Sequence, residues 1–304
     1  MELQYFVVDV FTETALAGNP LAVVMNTAGL STEQMQTIAR EFNLSETTFV
    51  ERRGAALEQA EGVRVRIFTT QEELPFAGHP TLGTASVLRR HAPETEVDDT
   101  VTLALNVGPV PVRFSSLAGR SVLFGEMTQR DPEFGAELDS SEAARLMGLE
   151  LEDLDPGLAP QVVSTGTAFA IAVLRTQEAL GRLAVRHQEA TVWLRERGAR
   201  WFYVLAPAED RPGEWRARMQ FNSIEDPATG SAAGCAIGYL VQRGVVASDV
   251  RVAVRQGVEM GRPSDLYLTA CRESQMNGSD LARVTKVRVG GSTVFVANGR
   301  LFLP

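Results

Sequence analysis

The stretch "EDPATGSAAGCAIGYL", residues 225–240, decides how the chain reads. An acidic pair, a Pro, a turn of small residues and an apolar run follow one another without a break. Asp226-Pro227 has the form of a helix N-cap followed by Pro at the first helical position. Behind it, Thr229, Gly230, Ser231, Ala232 and Ala233 keep side chains short where the first helical N–H groups point outward. That arrangement favours a bound anion such as a carboxylate. An Asp can cap the helix and face such a site at once. The run "AAGCAIGYLV" is apolar nearly all round, and a helix of that kind is buried.

An earlier stretch, "PFAGHPTLGTASVLRR" (75–90), has the same plan of turn feeding helix. Gly78 permits close backbone approach, and Arg89 and Arg90 fall in the last turn, where the helix dipole favours cations. Strand-like runs surround both helices. In the first half these are "QYFVVDVF", "GNPLAVV" after a Gly18-Asn19-Pro20 turn, "TTFV" and "VRVRIF". Between them "STEQMQTIAREFN" reads as a helix, with Ser31 and Gln34 spaced as a capping box and Asn43 as its stop. The second half repeats the order with "QVVSTGTAFAIAVL", the helix "HQEATVWLRERG", "WFYVLA" and "WRARMQF". Strands at "VRVAVRQG", "DLYLTA" and "TVFVANGRLFL" finish the chain, with Asn298-Gly299 as a hairpin turn. The pattern predicts an α+β protein of two similar lobes, each a curled sheet around a central helix. The segment at 116–135 is the candidate linker.

Bulk properties bound the function. At 304 residues the chain suits two lobes, and its 44% apolar and 22% charged residues are those of a globular protein. A net charge of −9 argues against nucleic acid and against an anionic membrane surface as partners. Cys235 and Cys271 lack the spacing of a zinc site or a disulfide framework. The start "MELQYFVVDVF" is acidic where a signal peptide is basic, and no apolar run approaches the ~20 residues that span a bilayer. The chain reads as soluble and cytoplasmic.

Two residues stand out as acid–base candidates. His79 lies in the first turn-to-helix junction, whereas His91 and His187 sit in charged surface contexts. An imidazole there can donate a hydrogen bond or act as a general acid. Glu46 in "NLSETTFV" follows a helix stop and precedes a strand, with no i,i+4 partner. Competing motifs fail. "GHPTLGT" has Thr84 where a phosphate loop needs Lys, and no G-x-G-x-x-G follows a strand. "TGSAAG" lacks the first Gly of a nucleophile elbow. No His and carboxylate pair has metal spacing. Acid–base chemistry by Glu, His and Asp without a cofactor is what remains.

Read together, "VVDVFTETALAGNPLAVV", "LSETTFV", "RIFTTQEELPFAGHPTLGTA", "EDPATGSAAG", "RQGVEMGRPS" and "VRVGGSTVFVANGRLFLP" resemble the phenazine-biosynthesis PhzF-like family, grouped with the diaminopimelate-epimerase-like isomerases. The resemblance implies two similar lobes, barrel-like sheets each around a central helix, with the active site in the cleft between them. It places the first lobe at residues 1–118 with a returning strand at 293–304, and the second at 119–292. It implies a homodimer that uses no cofactor and acts on a small carboxylic acid, such as a dihydro-hydroxyanthranilate. Residue by residue, Glu46 matches the general acid/base. His79 and Asp226 match the groups that hold the substrate and relay or stabilise charge. Gly78, Gly230 and Ser231 match the backbone that receives the carboxylate, and Asn19 a polar substrate contact.

The chain departs from the family pattern in places. Thr70 stands where Pro is commoner, and "RMQFNSIEDP" is shorter than the usual run before the acidic pair. The cysteine pair of the true epimerases is absent, and Cys235 lies too far into its helix to replace one. Two alternatives stay open: a small-carboxylate-binding protein without turnover on the same fold, and an epimerase of amino-acid derivatives using Glu46 and Asp226.

Overall fold

The computed structural model describes residues 1–115, 123–221, 224–273 and 283–303. The chain divides into two compact units, Met1–Thr128 with Gly290–Pro304, and Gln129–Val289.

In the first unit, Glu2–Val10 pairs antiparallel with Asn19–Val24 on one side and with the last strand, Arg283–Phe302, on the other. From Asn19–Val24 the sheet continues through Glu46–Glu51, Val63–Phe68, Thr100–Leu105, Gly108–Ser115 and Leu123–Thr128. Leu123–Thr128 pairs back with the last strand, which closes an eight-stranded barrel. The helix Gly78–His91 packs inside it, buried from Gly78 to Leu88. Its polar residues find partners in the wall: Thr84 shares a 2.8 Å hydrogen bond with Thr48, and Ser86 Oγ lies 3.1 Å from Thr293 Oγ1. Gly83 is required there, because a Cβ would lie 2.7 Å from Leu21 Cδ2 and 2.8 Å from Val10 Cγ2. Outside the barrel, Thr32–Phe42 lays Met35, Ile38 and Ala39 on Leu3, Val24, Phe49 and Phe68. Its capping box, Ser31 with Gln34, and its left-handed Asn43 stop form as the sequence predicts. Replacing Ser31 by Ala should cost about 1 kcal/mol, measured by urea denaturation.

In the second unit, strands Glu133–Glu137, Gln161–Ser164, Ala168–Val173, Trp201–Pro207, Trp215–Arg218, Val252–Gln256 and Ser264–Glu273 follow one another in the sheet. The helix Gly230–Gln242 packs on it, with only Ser231 and Gln242 short of full burial. Helices Ser140–Met147, Gln177–Gly181 and His187–Glu196 bury their apolar residues against Ala170, Ala172, Phe202, Val204 and Ala206. The small residues of the Gly230–Gln242 helix have a packing role. A Cβ at Gly234 would lie 1.9 Å from Gln129 Oε1, and one at Gly238 would lie 3.0 Å from Pro132 Cγ.

Two sequence readings are corrected. Asn298-Gly299 is no hairpin turn: Arg283–Phe302 runs through it as one 20-residue strand, with Asn298 opposite Phe6 and Gly299 opposite Tyr5. Gly299 instead makes room for the Tyr5 ring, whose Cζ would lie 2.7 Å from a Cβ there. The division into units falls at Thr128/Gln129 and Val289/Gly290 rather than at 118/119 and 292/293, because Leu123–Thr128 is a wall strand of the barrel. Residues 116–122 of the candidate linker lie outside the described residues.

Candidate active site

In the first unit three distant segments meet. The parallel register of Asn19–Val24 with Glu46–Glu51 sets Leu21 opposite Glu46, so the strand residues Asn19 and Pro20 share one end of adjacent strands with Glu46. The helix bearing His79 begins at Gly78, with Ala77 as its N-cap. His79 Nε2 lies 3.4 Å from Glu46 Oε2, a contact rather than a hydrogen bond. The ring bonds to the Pro20 carbonyl, and since Nε2 is not the bonded atom, Nδ1–H is the donor. His79 is 4% exposed, and burial depresses its pKa from the ordinary 6.5 to about 3. At neutral pH the imidazole is therefore uncharged, with its Nε2 lone pair turned to the carboxyl of Glu46. The Glu46 side chain as a whole is 16% exposed, while its Oε2, the oxygen facing His79, is buried. Asn19 is fully buried, and Gly78 is the buried first residue of the helix.

The His79 shift has a consequence for stability. Its folded pKa lies below its unfolded one, so the unfolded chain binds more protons between about pH 3 and the ordinary 6.5. The contribution is fully present above the unfolded value and is lost as pH falls. From about pH 7 to about pH 5 the wild type should lose about 2 kcal/mol more stability than His79→Gln, measured by denaturant titration at both values.

In the second unit the acidic pair separates into two tasks. Glu225 is held by Arg218, whose Nε and Nη2 reach its carboxylate at 2.9 and 2.7 Å, while Nη1 donates to the Leu180 and Gly181 carbonyls, each at 3.0 Å. Asp226 is not the helix N-cap, contrary to the sequence reading. The helix starts at Gly230 with Thr229 as its N-cap, and Asp226 lies three residues before that cap. The Asp226 carboxylate accepts the Thr229 hydroxyl at 2.6 Å, and its N–H donates to the Met219 carbonyl at 3.0 Å.

Gln256, the last residue of the strand Val252–Gln256, ties this segment together. It is fully buried. Its Oε1 accepts the Thr229 N–H and the Tyr203 hydroxyl, both at 3.1 Å, and its Nε2 donates to the Asp226 carbonyl at 2.8 Å and to Thr229 Oγ1 at 3.0 Å. A lone Gln at a strand end carries no sequence signal of such a task. The helix start has further support: Gln129 Nε2 donates to the Gly230 carbonyl at 2.9 Å, and the Thr165 hydroxyl lies 3.5 Å from the Ser231 carbonyl. Ser231 itself is half-buried. Cys235 sits in the core beside Thr165, its thiol pushed up to about 11 by burial.

A buried neutral His beside a carboxyl suits the handling of a proton. Comparison with known proteins gives the class. Over 98% of both chains the protein is 35% identical to an uncharacterised isomerase of Mesorhizobium japonicum. Over 99% of both it is 34% identical to a trans-2,3-dihydro-3-hydroxyanthranilate isomerase of Pseudomonas aeruginosa. A Bacillus anthracis protein of the PhzF family shares the fold, with a TM-score of 0.85, 24% identity and 100% of both chains covered. The protein is an isomerase of the α+β, barrel-and-helix fold. The sequence profile of the phenazine biosynthesis-like proteins matches residues 8–299, and the chain belongs to that family. No helix among the described residues is long and apolar enough to cross a membrane.

Proposed function

We propose that this isomerase moves a proton between carbons of a small cyclic carboxylic acid of the dihydro-hydroxyanthranilate type, without a cofactor, with Glu46 as general acid/base. The observation that carries this reading is the Glu46 carboxyl, 3.4 Å from His79 on a side chain that is not fully buried, beside an imidazole kept neutral by burial. A cationic partner would favour the ionised carboxylate and blunt its basicity, whereas a neutral one leaves it able to accept a proton and return it. The relative of Pseudomonas aeruginosa, named for such a substrate, supports the substrate class.

In the proposed cycle a C–H bond breaks as its proton passes to Glu46, and the electron pair delocalises towards the substrate's unsaturated system. The same proton then forms a new C–H bond at another carbon, so Glu46 ends as it began. Asn19, Gly78 and His79 of the first unit are the proposed contacts for polar groups of the substrate, and the family resemblance assigns Gly230, Ser231 and Asp226 of the second unit a substrate-holding task. Helix-start N–H groups at Gly78 and Gly230 suit a carboxylate.

The test is incubation of the purified protein with trans-2,3-dihydro-3-hydroxyanthranilate in deuterated water, followed by NMR. The expected result is a rearranged double bond with a new C–H position that is deuterated to the extent that Glu46 exchanges with solvent. An unmoved double bond with inverted configuration would mark an epimerase instead. Binding without any change would mark a carboxylate-binding protein.

A further inference from the structure

We infer that Tyr203, Gln256 and Thr229 form a one-way chain of hydrogen-bond donors that fixes Asp226 as an ionised acceptor for a donor group of the substrate. This rests on the reading of Asp226 as a group that touches substrate, and it deepens that reading.

The direction of the chain through Gln256 follows from its obligate backbone partners. The Thr229 N–H needs an acceptor, so Oε1 of Gln256 faces it at 3.1 Å. The Asp226 carbonyl needs a donor, so Nε2 faces it at 2.8 Å. With the amide thus oriented, the Tyr203 hydroxyl must give its proton to Oε1, 3.1 Å away. Burial pushes the Tyr203 phenol further up from its usual range, so that proton stays on. Nε2 in turn donates to Thr229 Oγ1 at 3.0 Å. A hydroxyl has one proton, and a donor already occupies a lone pair of Thr229. Against the carboxylate form of Asp226, the Thr229 hydroxyl proton points to Oδ2, 2.6 Å away.

Each link polarises the next, because a group that accepts a hydrogen bond donates a stronger one. Tyr203 and Gln256 are fully buried and Thr229 is 8% exposed, so water does not compete along the chain. The end of the chain stabilises negative charge on Asp226 and fixes its rotamer. A carboxylate so supplied with a proton donor is suited to accept a hydrogen bond from a substrate ammonium or hydroxyl. It is ill suited to deliver a proton to carbon, as an epimerase with Glu46 and Asp226 as paired acids and bases would demand. Thr229, Gln256 and Tyr203 are positioning residues, with Asp226 making the contact.

The test is steady-state kinetics on trans-2,3-dihydro-3-hydroxyanthranilate with Thr229→Val, Thr229→Ser, Tyr203→Phe and Asp226→Asn, with melting temperatures measured in parallel. Thr229→Val should lower kcat/KM ~10–100-fold, the range for a hydrogen bond to a charged group, mostly through a higher KM. Thr229→Ser, which keeps the hydroxyl, should restore most of it. Tyr203→Phe removes the remotest donor and should cost ~2–5-fold in the same direction, a fraction of the direct bond. If Thr229→Val does not fold, Tyr203→Phe decides. Wild-type kinetics in Thr229→Val or in Tyr203→Phe overturn the chain, as does equal loss in the Val and Ser variants. A loss carried by kcat alone overturns the holding role. Asp226→Asn separates the two failures: full activity there removes Asp226 from the site altogether, whereas a strong loss there beside an unaffected Thr229→Val removes only the chain.

Discussion

Glu46→Gln should abolish proton movement while leaving the fold intact. Gln keeps the length and shape of Glu46, so the strand Glu46–Glu51 and its contact with His79 survive. What it loses is the capacity to take and return a proton, and general acid–base catalysis contributes ~10²–10⁴-fold. The expected fall in kcat is of that order, with deuterium incorporation falling in step and the melting temperature unchanged. Glu46→Asp keeps the acid but withdraws it by about one methylene. Misplacement of ~1 Å costs on the order of 10²-fold, so the Asp variant should lie between wild type and Gln. Exchange at the wild-type rate in Glu46→Gln would remove Glu46 from the reaction.

A large effect on stability is expected at Gly257, next to Gln256. Its backbone is left-handed, with φ of +77°, and a Cβ there would lie 2.5 Å from the Arg262 carbonyl oxygen and 2.6 Å from that of Pro227. Both obstacles are backbone and neither can rotate away. Gly257→Ala adds a strained conformation, ~1–2 kcal/mol, to overpacking, ~1–3 kcal/mol. The expected loss is about 2–5 kcal/mol by guanidinium denaturation, with activity falling because Pro227 adjoins Asp226. Gly261 supplies the control: its φ is +74° but its Cβ would meet open space. Gly261→Ala should therefore lose only the conformational part, and equal losses in the two variants would refute the close approach.

Local signals in the chain were legible where the residues themselves settle the outcome. Ser31, Gln34 and Asn43 cap their helix because side-chain chemistry and backbone preference act within a few residues. The two buried helices were legible from their apolar, small-residue content. Where tertiary partners decide, the signal misleads. Asn298-Gly299 has the residues of a tight turn, yet the Tyr5 ring across the strand pair is what needs the glycine. Asp226-Pro227 has the residues of a cap, yet Thr229 and Gln256 take the Asp226 carboxylate and carbonyl as partners and the helix starts only at Gly230. The division between units was displaced because nothing in Leu123–Thr128 reveals that it pairs with Gly108–Ser115.

The candidate site divides in the same way. Glu46, His79 and Asp226 stand out by residue type, by position at junctions and by family resemblance. The contact of His79 with Glu46 depends on the parallel pairing of Asn19–Val24 with Glu46–Glu51, which no local pattern announces. The uncharged state of His79 depends on burial and on the Pro20 carbonyl, neither of which a sequence displays. Gln256 was invisible as a working residue because a buried amide is defined only by what surrounds it.

The most direct check on Glu46 as the proton carrier is a crystal structure of the wild-type protein with 2-aminobenzoate, an unreactive aromatic stand-in for the proposed substrate. The account predicts ligand density against Glu46 and His79, with a ring carbon within about 3.5 Å of a Glu46 carboxyl oxygen, the separation of a near-attack geometry. Ligand bound elsewhere on the protein, with Glu46 and His79 untouched, would contradict it.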